Sequence, residues 1–235
     1  MSWDDLSVEA RIEILDEVFG RTDGSVQAVM DRYRYGEPSQ ISIPEEAEVD
    51  PPGFQRSSLD QSFDFELFLG EYDASEKKIT IYKKGVLFVA NAIDVDPDRL
   101  RHIVLMHEYA HSLHHVGSSR FPEEKDHQLE AYWERKHSAF RKAQRDVKEQ
   151  IAQLATLLAL LKRRDSAAKP EARELNQTLI DAFFRLMQRQ SEVYRLPEGI
   201  ADGDSPRLER KLRLLLDMTD NDLSPSIDHI RRILE

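Results

Sequence analysis

Apolar residues recur at helical spacing near both ends of the chain and alternate with polar residues between them. Residues 5–19 and 25–33 have the helical pattern, and residues 36–58, rich in proline, serine, glycine and acids, follow as a loop or linker. Alternation over residues 63–69 and again over 78–82, across a polar turn, predicts two strands of a β-hairpin.

A longer helix is predicted next, after a short one over residues 86–93. Asp96 suits the N-cap, Pro97 the first helical position, and Asp98 complements the positive end of the helix dipole. Apolar residues then cover much of the helix circumference, and Gly117 stands where a C-terminal stop is expected. This pattern predicts a helix that is mostly buried.

From Ser138 onward the pattern is that of long helices. Two apolar stripes define them, Phe140, Val147, Ile151, Leu154, Leu158 and Leu161 in the first and Leu175, Leu179, Phe183, Leu186, Met187 and Val193 in the second. Residues 162–170 connect the two, and Ser205 and Ser224, each followed by proline, should begin two shorter helices. We expect these helices to pack on the core, with docking to a partner or self-association as the alternative.

Composition restricts the class of protein. The chain has 235 residues, of which 40% are hydrophobic and 33% charged, and these fractions are typical of a globular protein. Its net charge of −11 makes nucleic acid an improbable partner, and its lack of cysteine excludes disulfides and thiolate zinc sites. With no long apolar run and an acidic N-terminus, the sequence predicts a cytoplasmic protein without a membrane contact.

The predicted buried helix carries the candidate chemistry, the H-E-x-x-H motif His107-Glu108-Tyr109-Ala110-His111. Residues four apart lie on one face of a helix, so His107 and His111 can offer two imidazoles to one metal ion. Glu108 is rotated by roughly 100° from His107 and can reach a water held by that ion. A catalytic zinc site usually has three protein ligands, so one more is required.

Eighteen residues separate His111 from Glu130, and Glu134 lies one helical turn further on. With the H-E-x-x-H motif, this arrangement resembles the gluzincin group of zinc peptidases, whose third ligand is a glutamate on a second helix. The resemblance implies that Glu130 is the third zinc ligand and that Glu134 orients a ligand histidine from the second shell. Over about residues 78–135 the chain also loosely resembles the ImmA/IrrE-type peptidases.

The resemblance also implies a fold. We expect an α+β protein whose minimal zincin-like core, a small antiparallel sheet plus the active-site helix, occupies residues 59–137. Residues 1–58 would form N-terminal helices and a linker, and residues 138–235 a mainly helical region. In zincin-like enzymes an edge strand beside the helix holds extended substrate, and the strand over residues 78–82 is the candidate for that role. The alternative is a hairpin that only covers the core.

Alternatives to this ligand set remain. Glu134 could itself be the ligand, and four other residues lie near enough in sequence to compete, namely His114, His115, Asp126 and His127. The other three histidines, His102, His137 and His229, are predicted to be surface or packing residues.

The favoured function is a zinc-dependent peptidase that hydrolyses peptide bonds in an intracellular protein or peptide, with Zn²⁺ as cofactor and the zinc-bound water activated by Glu108. A further donor should stabilise charge on the reacting carbonyl, and the candidates are Tyr132, Arg135, His127 and Tyr194. The alternative is a non-catalytic helical interaction or regulatory protein that retains a zincin-like core.

Overall fold

The structure, a computed structural model, describes residues 42–47, 69–116, 126–200, 205–220 and 225–235, and the side chains of these except residues 42–47, 116 and 126–133. The predicted helices over 5–19 and 25–33, nearly all of the strand over 63–69 and the helix stop at Gly117 lie outside the described residues.

The described chain forms three strands, seven α-helices and a short 3₁₀ helix. The strands are β1 (Ser42–Ala47), β2 (Gly70–Asp73) and β3 (Lys78–Tyr82). The α-helices are α1 (Lys83–Ala92), α2 (Pro97–Val116), α3 (Asp126–Lys142), α4 (Arg145–Ser166), α5 (Pro170–Arg189), α6 (Ser205–Asp220) and α7 (Ile227–Leu234), and the 3₁₀ helix Glu192–Tyr194 follows α5. The protein is therefore mostly helical with a small sheet, which agrees with the α+β class at that coarse level.

Residues 78–82 form the second strand of an antiparallel pair, β2–β3, as predicted. The first strand, β2, is Gly70–Asp73, which follows the predicted strand over residues 63–69 and includes the first residue of the predicted turn. The turn is stabilised by the Asp73 carboxylate, which accepts hydrogen bonds from the backbone N–H groups of Ser75 and Glu76. Lys77 closes it in the left-handed backbone region, with φ of 51°.

Two predictions about the sheet are wrong. Residues 42–47, predicted as part of a linker, form the strand β1, which pairs in parallel with β3. Pro44 is tolerated there because β1 is an outer strand of the described sheet. The second wrong prediction is that the strand over residues 78–82 is a substrate-binding edge strand. This strand, β3, is central in the described order β1-β3-β2, so both of its edges are paired, whereas β2 is the outer strand that packs against α2.

Helix α2 begins where the sequence predicts. The Asp96 carboxylate accepts a hydrogen bond from the backbone N–H of Arg99 at 3.1 Å, which is N-cap geometry. Every residue from 102 to 115 is buried, because β2, β3 and the helices α1, α3, α4 and α5 all pack around this helix. The H-E-x-x-H motif therefore lies inside the molecule.

Helices α3, α4 and α5 pack on α2, helices α6 and α7 pack on α4, and together they continue the same hydrophobic cluster, which extends from Leu69 to Leu234. The first apolar stripe is divided between two helices, because α3 ends at Lys142 and Gln144 is the extended N-cap residue of α4. Helix α4 continues to Ser166, so its connection to α5 is shorter than predicted. Helix α7 is capped by the Ser226 hydroxyl rather than by Ser224. None of the described helices is long and apolar enough to cross a membrane.

Candidate metal centre

Helix α2 places the two motif histidines side by side. The Nε2 atoms of His107 and His111 are 3.0 Å apart, and the two rings meet at an angle of 87°. Both residues are 8% exposed, so their facing nitrogens are largely removed from water. The geometry follows from their spacing of four residues on one helix face.

A glutamate from α4 completes the group. The Oε2 atom of Glu149 lies 3.1 Å from His107 Nε2 and 3.0 Å from His111 Nε2. Its side chain is 13% exposed. Among the described residues, these three form the group of histidine and acidic side chains that could hold a metal ion.

The three atoms suit a divalent cation. Zinc ligands at about 2.0–2.2 Å in tetrahedral geometry lie about 3.4 Å from one another, so the observed separations of 3.0–3.1 Å need only a small expansion around an ion. Two imidazole nitrogens and one carboxylate oxygen are also the donor set of one class of catalytic zinc sites. Hydrogen bonds alone would leave two nitrogens competing for one oxygen, whereas a cation uses all three lone pairs.

The charge on Glu149 is stabilised by its neighbours. Burial by itself raises the pKa of the Glu149 carboxyl, but the charge of His111 and hydrogen bonds from His107 and His111 outweigh it and hold that pKa well below its usual value. Glu149 is therefore an anion under ordinary conditions, as a metal ligand must be.

Glu108 is in a different environment, although it is next to the same histidines. Burial, and after it the negative charges of Glu149 and Glu71, raise the pKa of its carboxyl, while His107 and the backbone N–H of Tyr72 lower it. The net result is a pKa of about 7. The side chain is 7% exposed. A carboxyl with a pKa near neutrality can both accept and return a proton, which is what a general base requires.

Glu108 and His107 border a small cavity. It measures about 20 Å³, enough for one water molecule. Its other lining residues are apolar side chains from α2, from α5 and from the residue before β2, together with two buried amides: Leu69, Ile103, Val104, Leu186, Gln153 and Gln190. The amide of Gln153 donates to Gln190 at 3.2 Å. A water beside Glu108 would thus be sheltered from bulk solvent.

Strands β2 and β3 border the site on the side of Glu108. The Tyr82 hydroxyl donates a hydrogen bond of 2.8 Å to the exposed carboxylate of Glu71. Burial, together with that hydrogen bond, raises the pKa of Tyr82. On β2, next to Glu71, the Tyr72 hydroxyl and His115 Nδ1 form a hydrogen bond of 2.9 Å. This bond ties β2 to α2 one turn beyond His111.

The structure places His107 and His111 side by side on α2, with Glu108 next to His107 in sequence, and brings Glu149 to the two histidines. The side chain of Glu130 is not among those described, so its role as a ligand stays a prediction; Asp126, His127 and Tyr132 are in the same position. Glu134, proposed to orient a ligand, is exposed on α3 and is not part of the described group.

The competing histidines of α2 have other surroundings. His114 is buried, its ring nitrogens have no hydrogen-bond partner among the described residues, and burial lowers its pKa well below the usual value. His115 bonds to Tyr72 and stacks on His137, with ring centroids 4.8 Å apart. His102, predicted as a surface or packing residue, is buried. Neither His114 nor His115 belongs to the metal-type group.

Of the two predicted donors whose side chains are described, Tyr194 is the one that the structure connects to the centre. It is buried, and its hydroxyl accepts a hydrogen bond from Arg145 Nη2, while Arg145 Nε lies 4.0 Å from Glu149 Oε1. Arg135, in contrast, is directed toward Asp220, at 3.8 Å.

Sequence reasoning missed Glu149, which is 38 residues beyond His111. The available signal was a set of polar residues in a helix that is otherwise apolar and buried, where Gln150, Gln153 and Thr156 are each no more than 2% exposed. Such residues mark a helix face that meets other polar groups.

Comparison with known proteins finds no matching family model, no similar curated protein and no similar solved structure.

Proposed function

We propose that this protein is a zinc-dependent peptidase in which His107, His111 and Glu149 hold the metal and Glu108 is the general base. The observation that carries the proposal is the convergence of two imidazole nitrogens and one carboxylate oxygen within 3.0–3.1 Å, next to a second, buried carboxyl. Zinc in such a site would polarise a carbonyl and make a bound water acidic near neutral pH.

The residues divide the work between two carboxylates with opposite pKa shifts. Glu149 stays ionised and can bind a cation, while Glu108, whose pKa is raised to about 7, can take a proton from the attacking water and return it to the leaving amine. The small cavity beside Glu108 gives that water a protected position.

Burial of Glu108 supports catalysis over a purely structural ion. A buried carboxyl whose pKa is raised destabilises the folded protein when it is ionised, and a structural metal site has no use for it. This destabilisation of the folded protein has a function if Glu108 transfers protons.

The proposal is tested by comparing the full-length protein with Glu108→Gln and with the control Glu174→Gln, an exposed change on α5. Zinc content is measured by atomic absorption, and cleavage is followed with a library of fluorescence-quenched peptides. We expect all three proteins to bind one zinc, and Glu108→Gln alone to lose cleavage by at least about 100-fold. If the wild type binds zinc but cleaves no peptide, the peptidase proposal fails and the non-catalytic interpretation stands. If Glu108→Gln cleaves as well as the wild type, Glu108 is not the general base and the proposed mechanism fails.

A further inference from the structure

Arg145 occupies an unusual position for a surface cation. It is the first residue of α4, where a positive charge is opposed by the helix dipole, an unfavourable interaction of about 0.3–1 kcal/mol. Its side chain is 54% exposed, yet its Nε lies 4.0 Å from Oε1 of Glu149, the second oxygen of the carboxylate that faces the histidines. The guanidinium is therefore one carboxylate away from the candidate metal centre.

The separation from Glu149 is too long for a hydrogen bond, so this carboxylate does not engage the guanidinium in the bidentate manner that arginine favours. Arg145 also contacts Tyr194. Its Nη2 donates to the Tyr194 hydroxyl, and its Cζ lies 5.7 Å from the centre of the Tyr194 ring, within the range of a cation–π contact.

The segment that carries Tyr194 is itself fixed from α4. Gln150, fully buried and next to Glu149 in sequence, donates its side-chain amide to the carbonyls of Val193 and Arg195 on either side of Tyr194. A buried glutamine and a buried tyrosine thus hold a half-exposed arginine in one orientation at the border of the site. A fixed guanidinium loses less conformational entropy when it binds a ligand.

From this arrangement we infer that Arg145 is a substrate-binding residue that takes a carboxylate of the peptide substrate beside the metal centre, with Tyr194 and Gln150 as its positioning residues. The planar fork of a guanidinium matches a carboxylate, and nearby acids (Glu71, Glu108 and Glu149) would otherwise repel an anionic group. This inference rests on the proposed function and narrows its substrates to peptides with a carboxylate near the cleaved bond.

The test uses zinc-loaded full-length protein and two matched probes that bind zinc through a hydroxamate, succinic acid monohydroxamate and its terminal amide. Affinities are measured by calorimetry for the wild type, Arg145→Gln, Arg145→Lys, Tyr194→Phe and the control Arg210→Gln, an exposed change on α6. We expect the wild type and the control to bind the acid about 10- to 100-fold more tightly than the amide, as for other charged hydrogen-bonded pairs.

In Arg145→Gln the ratio of the two affinities should fall to near one, while zinc affinity and binding of the amide probe are kept. Arg145→Lys should keep a small preference for the acid probe, because an ammonium retains the charge but not the planar fork of the guanidinium. The preference of Tyr194→Phe should lie between those of the wild type and Arg145→Gln. No preference in the wild type, or an unchanged preference in Arg145→Gln, overturns the inference. So does an equal loss of zinc and of both probes, which would make Arg145 only a support for Glu149.

Two sources of the carboxylate are separated by quenched peptides. If the site takes a chain terminus, amidating the C-terminus abolishes the effect of Arg145→Gln on cleavage; if it takes an acidic side chain, replacing an internal glutamate by glutamine does so. A wild type that binds no zinc contradicts the proposed function, and this inference falls with it. Zinc binding without carboxylate preference contradicts the inference alone.

Discussion

Replacing Glu149 by glutamine should remove most of the metal affinity while the shape of the side chain is kept. The change takes away the anionic oxygen that lies 3.0 and 3.1 Å from the two histidine nitrogens. Loss of residues that only orient a ligand costs about 10- to 100-fold in metal affinity, so the loss of a direct ligand should exceed about 100-fold. The matched variant is Glu130→Gln, which changes the glutamate that the gluzincin resemblance favours.

The effect can be worked through to a melting temperature. Zinc at 100 times its dissociation constant stabilises a folded protein by about 2.7 kcal/mol, and for a chain of this length that raises Tm by about 5–10 °C. In Glu149→Gln the same zinc concentration would be no higher than the new dissociation constant. The stabilisation would then be below about 0.5 kcal/mol, a shift of about 1–2 °C.

The assay is a thermal melt with and without zinc, supported by competition with a chelator to obtain the dissociation constants. We expect the wild type and Glu130→Gln to show the full zinc-dependent shift and Glu149→Gln to lose it. The reverse result, in which Glu130→Gln loses the shift and Glu149→Gln keeps it, would refute the assignment of Glu149 and restore the ligand set implied by the resemblance.

Three further predictions concern stability. The fold raises the pKa of Glu108 from 4.5 to about 7, so the unfolded chain releases this proton at lower pH and the folded state loses stability as pH rises between those values. In urea melts, the free energy of unfolding of metal-free Glu108→Gln should match that of the wild type near pH 4 and exceed it by about 3 kcal/mol at pH 8. The same pH dependence in both proteins would contradict the pKa shift. Gly70→Ala should cost about 1–3 kcal/mol, because a β-carbon there would lie 2.9 Å from Val104 Cγ1 and force β2 away from α2; an unchanged denaturation midpoint would show that no such contact exists. The buried ammonium of Lys136 donates a hydrogen bond of 2.8 Å to Asp220, so Lys136→Met alone should destabilise the fold by about 3–5 kcal/mol. The double variant Lys136→Met/Asp220→Leu should be destabilised by much less, which a double-mutant cycle measures. Additive losses would contradict a coupled pair.

Local signals were enough to predict the central helix. The Asp96 cap, Pro97 and the spacing of His107 and His111 all act within a few residues, so their consequences for α2 follow from helix geometry. The strand over residues 78–82 and the start of α6 at Ser205 were predictable for the same reason.

Long-range pairing was not predictable in this way. The parallel pairing of β1 with β3 overrides a local composition typical of a loop, and it changes which strand has a free edge. Glu149 reaches the histidines because the chain breaks at Gln144 and α4 turns back along α2, and no short-range pattern encodes that path. The family resemblance directs attention to a glutamate on the next helix, α3, whereas the structure also brings one from the helix after it.

The most direct test of the account is a crystal structure of the protein grown with zinc, with anomalous diffraction collected on both sides of the zinc absorption edge. We predict one ordered zinc peak within about 2.0–2.2 Å of His107 Nε2, His111 Nε2 and Glu149 Oε2, with the carboxylate of Glu108 near the remaining side of the ion. An anomalous peak coordinated by other side chains, or no peak between these three atoms at full zinc occupancy elsewhere, would contradict the account.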